Sequence, residues 1–154
     1  MATTFEKETT QGIGNATGTG VFHTKIELPE VRVFVIAFPE EVVYCNLYKR
    51  VNDTFDGSSL SLQFQSNIKN GRHFFTADSP IDFIKYTDSA FEGPSYVGIK
   101  NGKGYVDITF DRQAGTLSAH IFNVDLVREE GYDELNLNVT IEASGLEEVN
   151  IQKS

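Results

Sequence analysis

Asp107 and His120 are the residues of this chain best placed to share acid–base chemistry, and a single turn decides whether they meet. Asp111 and Thr116 bracket the four-residue loop Arg112-Gln113-Ala114-Gly115. A hairpin closed there sets Phe110 opposite Leu117, Ile108 opposite Ala119 and Val106 opposite Ile121. On the other face it sets His120 opposite Asp107 and Tyr105 opposite Phe122, with Thr109 and Ser118 alongside. A second turn signal, Lys100-Asn101-Gly102-Lys103, carries the Asn-Gly pair of a type I′ hairpin. Read as a hairpin, it sets Val97 opposite Val106, Ile99 opposite Gly104, and Tyr96 beside Asp107. The expected ligand face is therefore Tyr96, Tyr105, Asp107, His120 and Phe122. Aromatic rings there supply apolar contact area, while the Asp107–His120 pair supplies directional hydrogen bonds. The carboxylate favours the charged imidazole, so affinity routed through the pair should change between about pH 5 and 8. The plainer alternative is a half-exposed sheet face in which His–Asp is one cross-strand pair among many.

Other residues offer less. The loop Asn52-Asp53-Thr54-Phe55-Asp56-Gly57 supplies closely spaced oxygens, making Asn52, Asp53 and Asp56 candidate calcium ligands. Asn, Asp and Gly are also ordinary turn formers, and the EF-hand spacing is absent. His23, His73 and His120 show no pair at zinc-ligand spacing. The glycines of residues 11–20 lack the Gly-Lys-Ser/Thr ending and the following helix of a phosphate loop. Gly93-Pro94-Ser95-Tyr96-Val97-Gly98 is not a nucleophile elbow. Cys45 sits among apolar neighbours in mid-strand and reads as a buried structural thiol. The acidic run Asp125, Glu129, Glu130, Asp133 and Glu134 reads as a solvated loop. No cofactor is expected.

Composition narrows the partners. The net charge is −9 and the pI about 4.7. Phosphate backbones are repelled, so nucleic acid is not an expected partner. The single cysteine forbids an intrachain disulfide, no basic start or apolar run marks a signal peptide, and no apolar stretch approaches a membrane span. A cytoplasmic location is favoured, with non-classical export the alternative. The sequons at Asn15, Asn52 and Asn138 read as chance.

The elements that must position these groups are strands. Twelve Phe and six Tyr in 154 residues favour sheet. Residues 1–20 read as a loose arm or a glycine-bent edge strand, and residues 21–154 as one domain. Phe22, Thr24, Ile26 and Leu28 share one face. Val31–Phe38 is nearly all apolar, the pattern of a strand buried on both faces. Val43, Cys45 and Leu47 alternate with Tyr44 and Tyr48, and Leu60, Leu62 and Phe64 with Ser61, Gln63 and Gln65. Lys69-Asn70-Gly71-Arg72 reads as another type I′ hairpin, setting Ile68 opposite His73, Ser66 opposite Phe75 and Phe64 opposite Ala77. Val124–Asp133 reads as irregular, with room for a helical turn. Leu135, Leu137, Val139 and Ile141 mark the last long strand, and Val149 with Ile151 a short one. About nine strands give an all-β fold, an antiparallel β-sandwich of jelly-roll or Ig-like type, with a calycin-like closed β-barrel as alternative.

Without a catalytic signature, the expected function is a non-enzymatic binding or interaction module for a small molecule, sugar or protein partner. A structural or self-associating subunit of a homo-oligomer is the first alternative. A hydrolase or isomerase using acids on a β scaffold is the second.

Overall fold

Period-two alternation builds strand after strand along this chain, and almost every apolar set finds the same core. A computed structural model describes residues 11–18, 23–37, 40–49, 58–87, 95–129 and 134–149. These hold β1 (Gln11–Gly18), β2 (His23–Leu28), β3 (Glu30–Ile36), β4 (Val42–Tyr48), β5 (Ser59–Gln65) and β6 (Gly71–Phe74). They continue with β7 (Ile81–Thr87), β8 (Ser95–Gly98), β9 (Tyr105–Asp111), β10 (Thr116–Arg128), β11 (Glu134–Ser144) and β12 (Leu146–Val149). No helix occurs among the described residues, and none there is long and apolar enough to cross a membrane.

All the strands join one sheet, curled into a half-barrel, in the order β12-β3-β4-β5-β7-β8-β10-β11-β1-β2. β10 forks this sheet. Its first half pairs with β9, which carries β6 on its far side; its second half pairs with β8. The expectation of a purely antiparallel sheet is corrected, because β12 runs parallel to β3. Gly145, at φ +94°, bends the chain out of β11 so that it re-enters the sheet beside a distant strand.

The core is contiguous. Val43, Cys45 and Leu47 of β4, Leu60, Leu62 and Phe64 of β5, and Leu135, Leu137, Val139 and Ile141 of β11 are all buried in it. The wall strands approach closely across it. A Cβ at Gly12 of β1 would overlap the end of the Leu47 side chain of β4, so a larger residue there would require that side chain to shift. β1 lies between β11 and β2, inside the sheet rather than at its edge.

Several local expectations are corrected. Val31–Phe38 is not buried on both faces: Val33 and Val35 are buried, while Phe34 and Ile36 are only partly covered, and Phe38 lies outside the described residues. The Asn70-Gly71 segment does not close a β5–β6 hairpin. β5 pairs with β4 and β7, Asn70 Oδ1 accepts the Phe110 N–H at 2.9 Å, and Gly71 starts a strand that pairs with β9. Phe75 is buried as expected, but Ala77 is exposed. Residues 124–128 continue β10 as strand and hold no helical turn.

Cys45 bears out the structural reading of its thiol. It is fully buried, and that burial pushes its pKa up to about 12. A thiol-specific disulfide reagent at mildly alkaline pH is expected to leave the folded protein unmodified and to label one cysteine per chain in concentrated urea. Fast labelling without denaturant would show that β4 is not packed against the core as described.

Candidate functional site

The outer face of β6, β9 and β10 holds four of the five expected ligand residues. The Arg112–Gly115 turn closes as read, with Gly115 at φ +71°. The ladder therefore pairs His120 with Asp107 and Phe122 with Tyr105. Their inward neighbours Val106, Ile108, Leu117, Ala119 and Ile121 are buried, which fixes the first set outward.

Tyr96 is not part of this face. β8 pairs with β10 and β7 instead of β9, placing Tyr96 opposite Arg128 and Tyr86. There it is 6% exposed and belongs to the core, whereas Val97 and Ile99, which the hairpin reading set opposite Val106 and Gly104, are only partly covered. The place beside Asp107 belongs to Arg72 of β6, which the sequence reading did not include.

Arg72 organises the face. Its Nε and Nη2 donate to the two Asp107 oxygens at 2.9 and 3.2 Å, a fork-on-fork pair. Its guanidinium carbon lies 3.7 Å from the Tyr105 ring centroid. Tyr105 stacks on its other side against Phe122, with centroids 5.0 Å apart and planes inclined by 28°. Phe74 meets Tyr105 edge-on at 5.8 Å, and His120 meets Phe122 edge-on at 5.9 Å. The result is a row, Phe74–Tyr105–Phe122, running across three strands. Its ends are 55% and 42% exposed.

The hydrogen bonds from Arg72 hold the Asp107 carboxyl below its usual value, with smaller contributions from the charges of Arg72, His120 and His73. Asp107 is thus committed to Arg72 first, and His120 contributes only through space. Because the folded pKa is lowered, the pair's small contribution is present above about pH 4 and lost as pH falls through the depressed value. The Arg72 Nε–H resonance is expected to persist below about pH 4, where ordinary aspartates protonate, and to broaden only at lower pH. Broadening that already sets in at about pH 4 would mean that Arg72 does not hold the Asp107 carboxyl low.

The row is held by a bulge. The β10–β11 register shifts between Ile121 and Val124, and Asn123 adopts φ +56° there. Its N–H donates to Asn138 Oδ1 at 2.9 Å; Asn136 Nδ2 donates to Asn123 Oδ1 at 2.8 Å and to Asp125 Oδ1 at 2.9 Å. Asn138 Nδ2 donates to Asn136 Oδ1, so this sequon amide belongs to a structural network. Burial alone would raise the Asp125 carboxyl, but hydrogen bonds from Asn136 and Lys103 bring it below its usual value.

A second aromatic row, missed by the sequence reading, crosses the outer face of β3, β4 and β7. Phe34 and Tyr44 are 6.4 Å apart and Tyr44 and Phe83 6.2 Å. Arg32 rests 4.8 Å from the Phe34 centroid and forks onto Glu147 at 2.9 and 2.7 Å, repeating the arrangement around Arg72. β3, β4 and β5 are successive in sequence and pair as neighbours, but β6 intervenes before β7, so no local turn sets the last ladder of the row. A small cavity of about 150 Å³ also opens beside Ile26, Leu28, Lys49, Ser58 and Tyr86. The calcium candidates Asn52, Asp53 and Asp56 lie outside the described residues, and no cluster of three or more His, Cys, Asp or Glu among the described residues is placed to hold a metal.

Together these features define a curled, single-sheet all-β protein with two aromatic rows on its outer surface. No family model, no curated protein and no solved structure matches this chain.

Proposed function

We propose that this chain is a non-enzymatic binding module that docks a protein partner on the outer face of β6, β9 and β10. The observation that carries this reading is the Phe74–Tyr105–Phe122 row, exposed at both ends and beginning on β6, which among the described residues pairs only with β9. Exposed aromatics beside an open strand edge suit an added partner strand, whose backbone pairs with β6 while its side chains cover the row. Both faces of the Tyr105 ring are occupied, by Arg72 and Phe122, which favours a broad protein surface over a small ring stacked on tyrosine. Asp107 engages Arg72 with both oxygens, so the His120–Asp107 pair lacks the geometry of an oriented general base. The net charge of −9 favours a partner with a basic surface.

The shared core supports reading residues 21–154 as one domain with β1 built into it, and the single curled sheet supports a barrel-like architecture over a two-sheet sandwich.

A photo-crosslinking residue at Phe74, in full-length protein expressed in its own host, tests the docking face. A discrete protein adduct is expected, identified by mass spectrometry and rebuilt from purified components. Phe122→Asp should weaken that purified complex by about tenfold or more, the scale of losing one buried aromatic anchor. Equal affinity of wild type, Phe74→Asp and Phe122→Asp for the purified partner would overturn the reading. An adduct with a second copy of the chain, and a dimer in sedimentation that Phe74→Asp abolishes, would move it to the homo-oligomer alternative.

A further inference from the structure

The second aromatic row lies on a face built for a different kind of ligand. Phe34, Tyr44, Gln63 and Phe83 fall on one rung of β3, β4, β5 and β7. The Tyr44 and Phe83 rings approach to 6.2 Å although β5 runs between their strands, so they lean together over Gln63. Four strands at about 4.8 Å spacing make the platform roughly 14 Å long. Arg32 closes one end against Phe34.

Planar amides and hydroxyls line this row. Tyr44 Oη and Ser61 Oγ share a hydrogen bond at 3.0 Å, and Ser61 Oγ donates to Asn46 Oδ1 at 3.2 Å. Gln63 Nε2 donates to Asp82 Oδ2 at 3.0 Å. These bonds orient the amides and leave Asn46 Nδ2 as donor and Gln63 Oε1 as acceptor without partners among the described residues. Among the described residues the face offers no free cation for an anion. Arg32 is neutralised by Glu147 and Lys85 by Glu129 at 3.0 Å, while Asp82 adds negative charge.

We infer that this face binds a neutral oligosaccharide. Pyranose rings present apolar C–H faces and hydroxyl edges. The first suits the Phe34–Tyr44–Phe83 platform, and the second suits Asn46 Nδ2 and Gln63 Oε1. Paired cations and a surplus of carboxylates turn away uronates and sulfated glycans. A protein partner fits less well, because β4 and β5 are interior strands with no open edge for backbone pairing.

The test is an amide NMR titration of the full chain with cellohexaose, laminarihexaose, mannohexaose and chitohexaose, with hexagalacturonate as the charged control. Shifts in the Asn46 and Gln63 side-chain amides and around Tyr44 are expected with at least one neutral oligosaccharide and not with the uronate. Tyr44→Ala should weaken that binding by about tenfold. Tyr44→Phe should retain most of it, and each variant's spectrum reports whether it is folded. Phe74→Asp on the other face should leave it unchanged, so the inference stands or falls independently of the protein-docking reading. No shift from any neutral member at about 5 mM, above the millimolar Kd typical of the weakest specific contacts, would overturn it. So would binding of the uronate alone, or shifts confined to β6, β9 and β10.

Discussion

Replacing Gly104 by valine is expected to destabilise the protein by about 3–5 kcal/mol, at the upper end for a single substitution. Gly104 sits at φ +78°, a conformation that β-branched residues avoid. A Cβ there would overlap the carbonyl of Asn123 and lie 2.6 Å from the Phe122 oxygen. Neither is the end of a flexible side chain, so the β10 bulge itself would have to move. Tyr105 follows directly, and the aromatic row should lose its order along with stability. Gly102 provides the control. It has nearly the same φ, +79°, but a Cβ there meets only the Thr76 methyl at 3.8 Å. Gly102→Val therefore carries backbone strain without the overlap, roughly 1–2 kcal/mol. Urea melts of the two variants separate the effects, and equal losses would mean that β9 and the bulge are not pressed together.

Ile108→Ala should cost about 2–5 kcal/mol, because Ile108 is 1% exposed and faces Ala119 and Gly71 from the centre of β9. Thr109→Ala, one position on, should change stability by less than about 0.5 kcal/mol, since Thr109 is exposed on the opposite face. The contrast tests the facing of β9 directly. Comparable losses in equilibrium denaturation would mean that a second layer covers the outer face and hides the row from any partner.

Turn chemistry explains which parts of this arrangement could be read from the chain. The Arg112–Gly115 loop joins strands that do pair, so counting outward from it recovers His120 with Asp107 and Tyr105 with Phe122. The two Asn-Gly segments share the same vocabulary yet serve other ends. Asn101 Oδ1 accepts the Lys103 N–H at 2.9 Å, and the Gly102 N–H reaches Phe75 at 2.9 Å, turning the chain between strands that are not neighbours. A type I′ signal reports that the backbone reverses; it does not report which strand lies alongside afterwards. Agreement of apolar faces could not expose the error, because alternation constrains parity and leaves the partner open. Tyr96 and Arg72 exchanged places for this reason. The facing within single strands was legible throughout β4, β5 and β11, where every second residue meets the same core. The parallel β3–β12 pairing was not, since it depends on a glycine bend and a partner over a hundred positions away.

That last pairing has a counterpart. β1 zips along β11 from Gln11 opposite Glu142 to Gly18 opposite Leu135, and Leu146 to Val149 lie beside Val33 to Ile36. β1 and β3 thus complete their hydrogen bonding only with segments more than a hundred positions further along the chain. Closing loops of that length costs entropy before any contact repays it, which places folding in the millisecond-to-second range of β topologies. On the ribosome, β1 and β3 wait with open edges until those later segments emerge. Glycine at positions 12 and 14 lowers strand propensity in the waiting segment and so weakens its tendency to pair with the wrong neighbour.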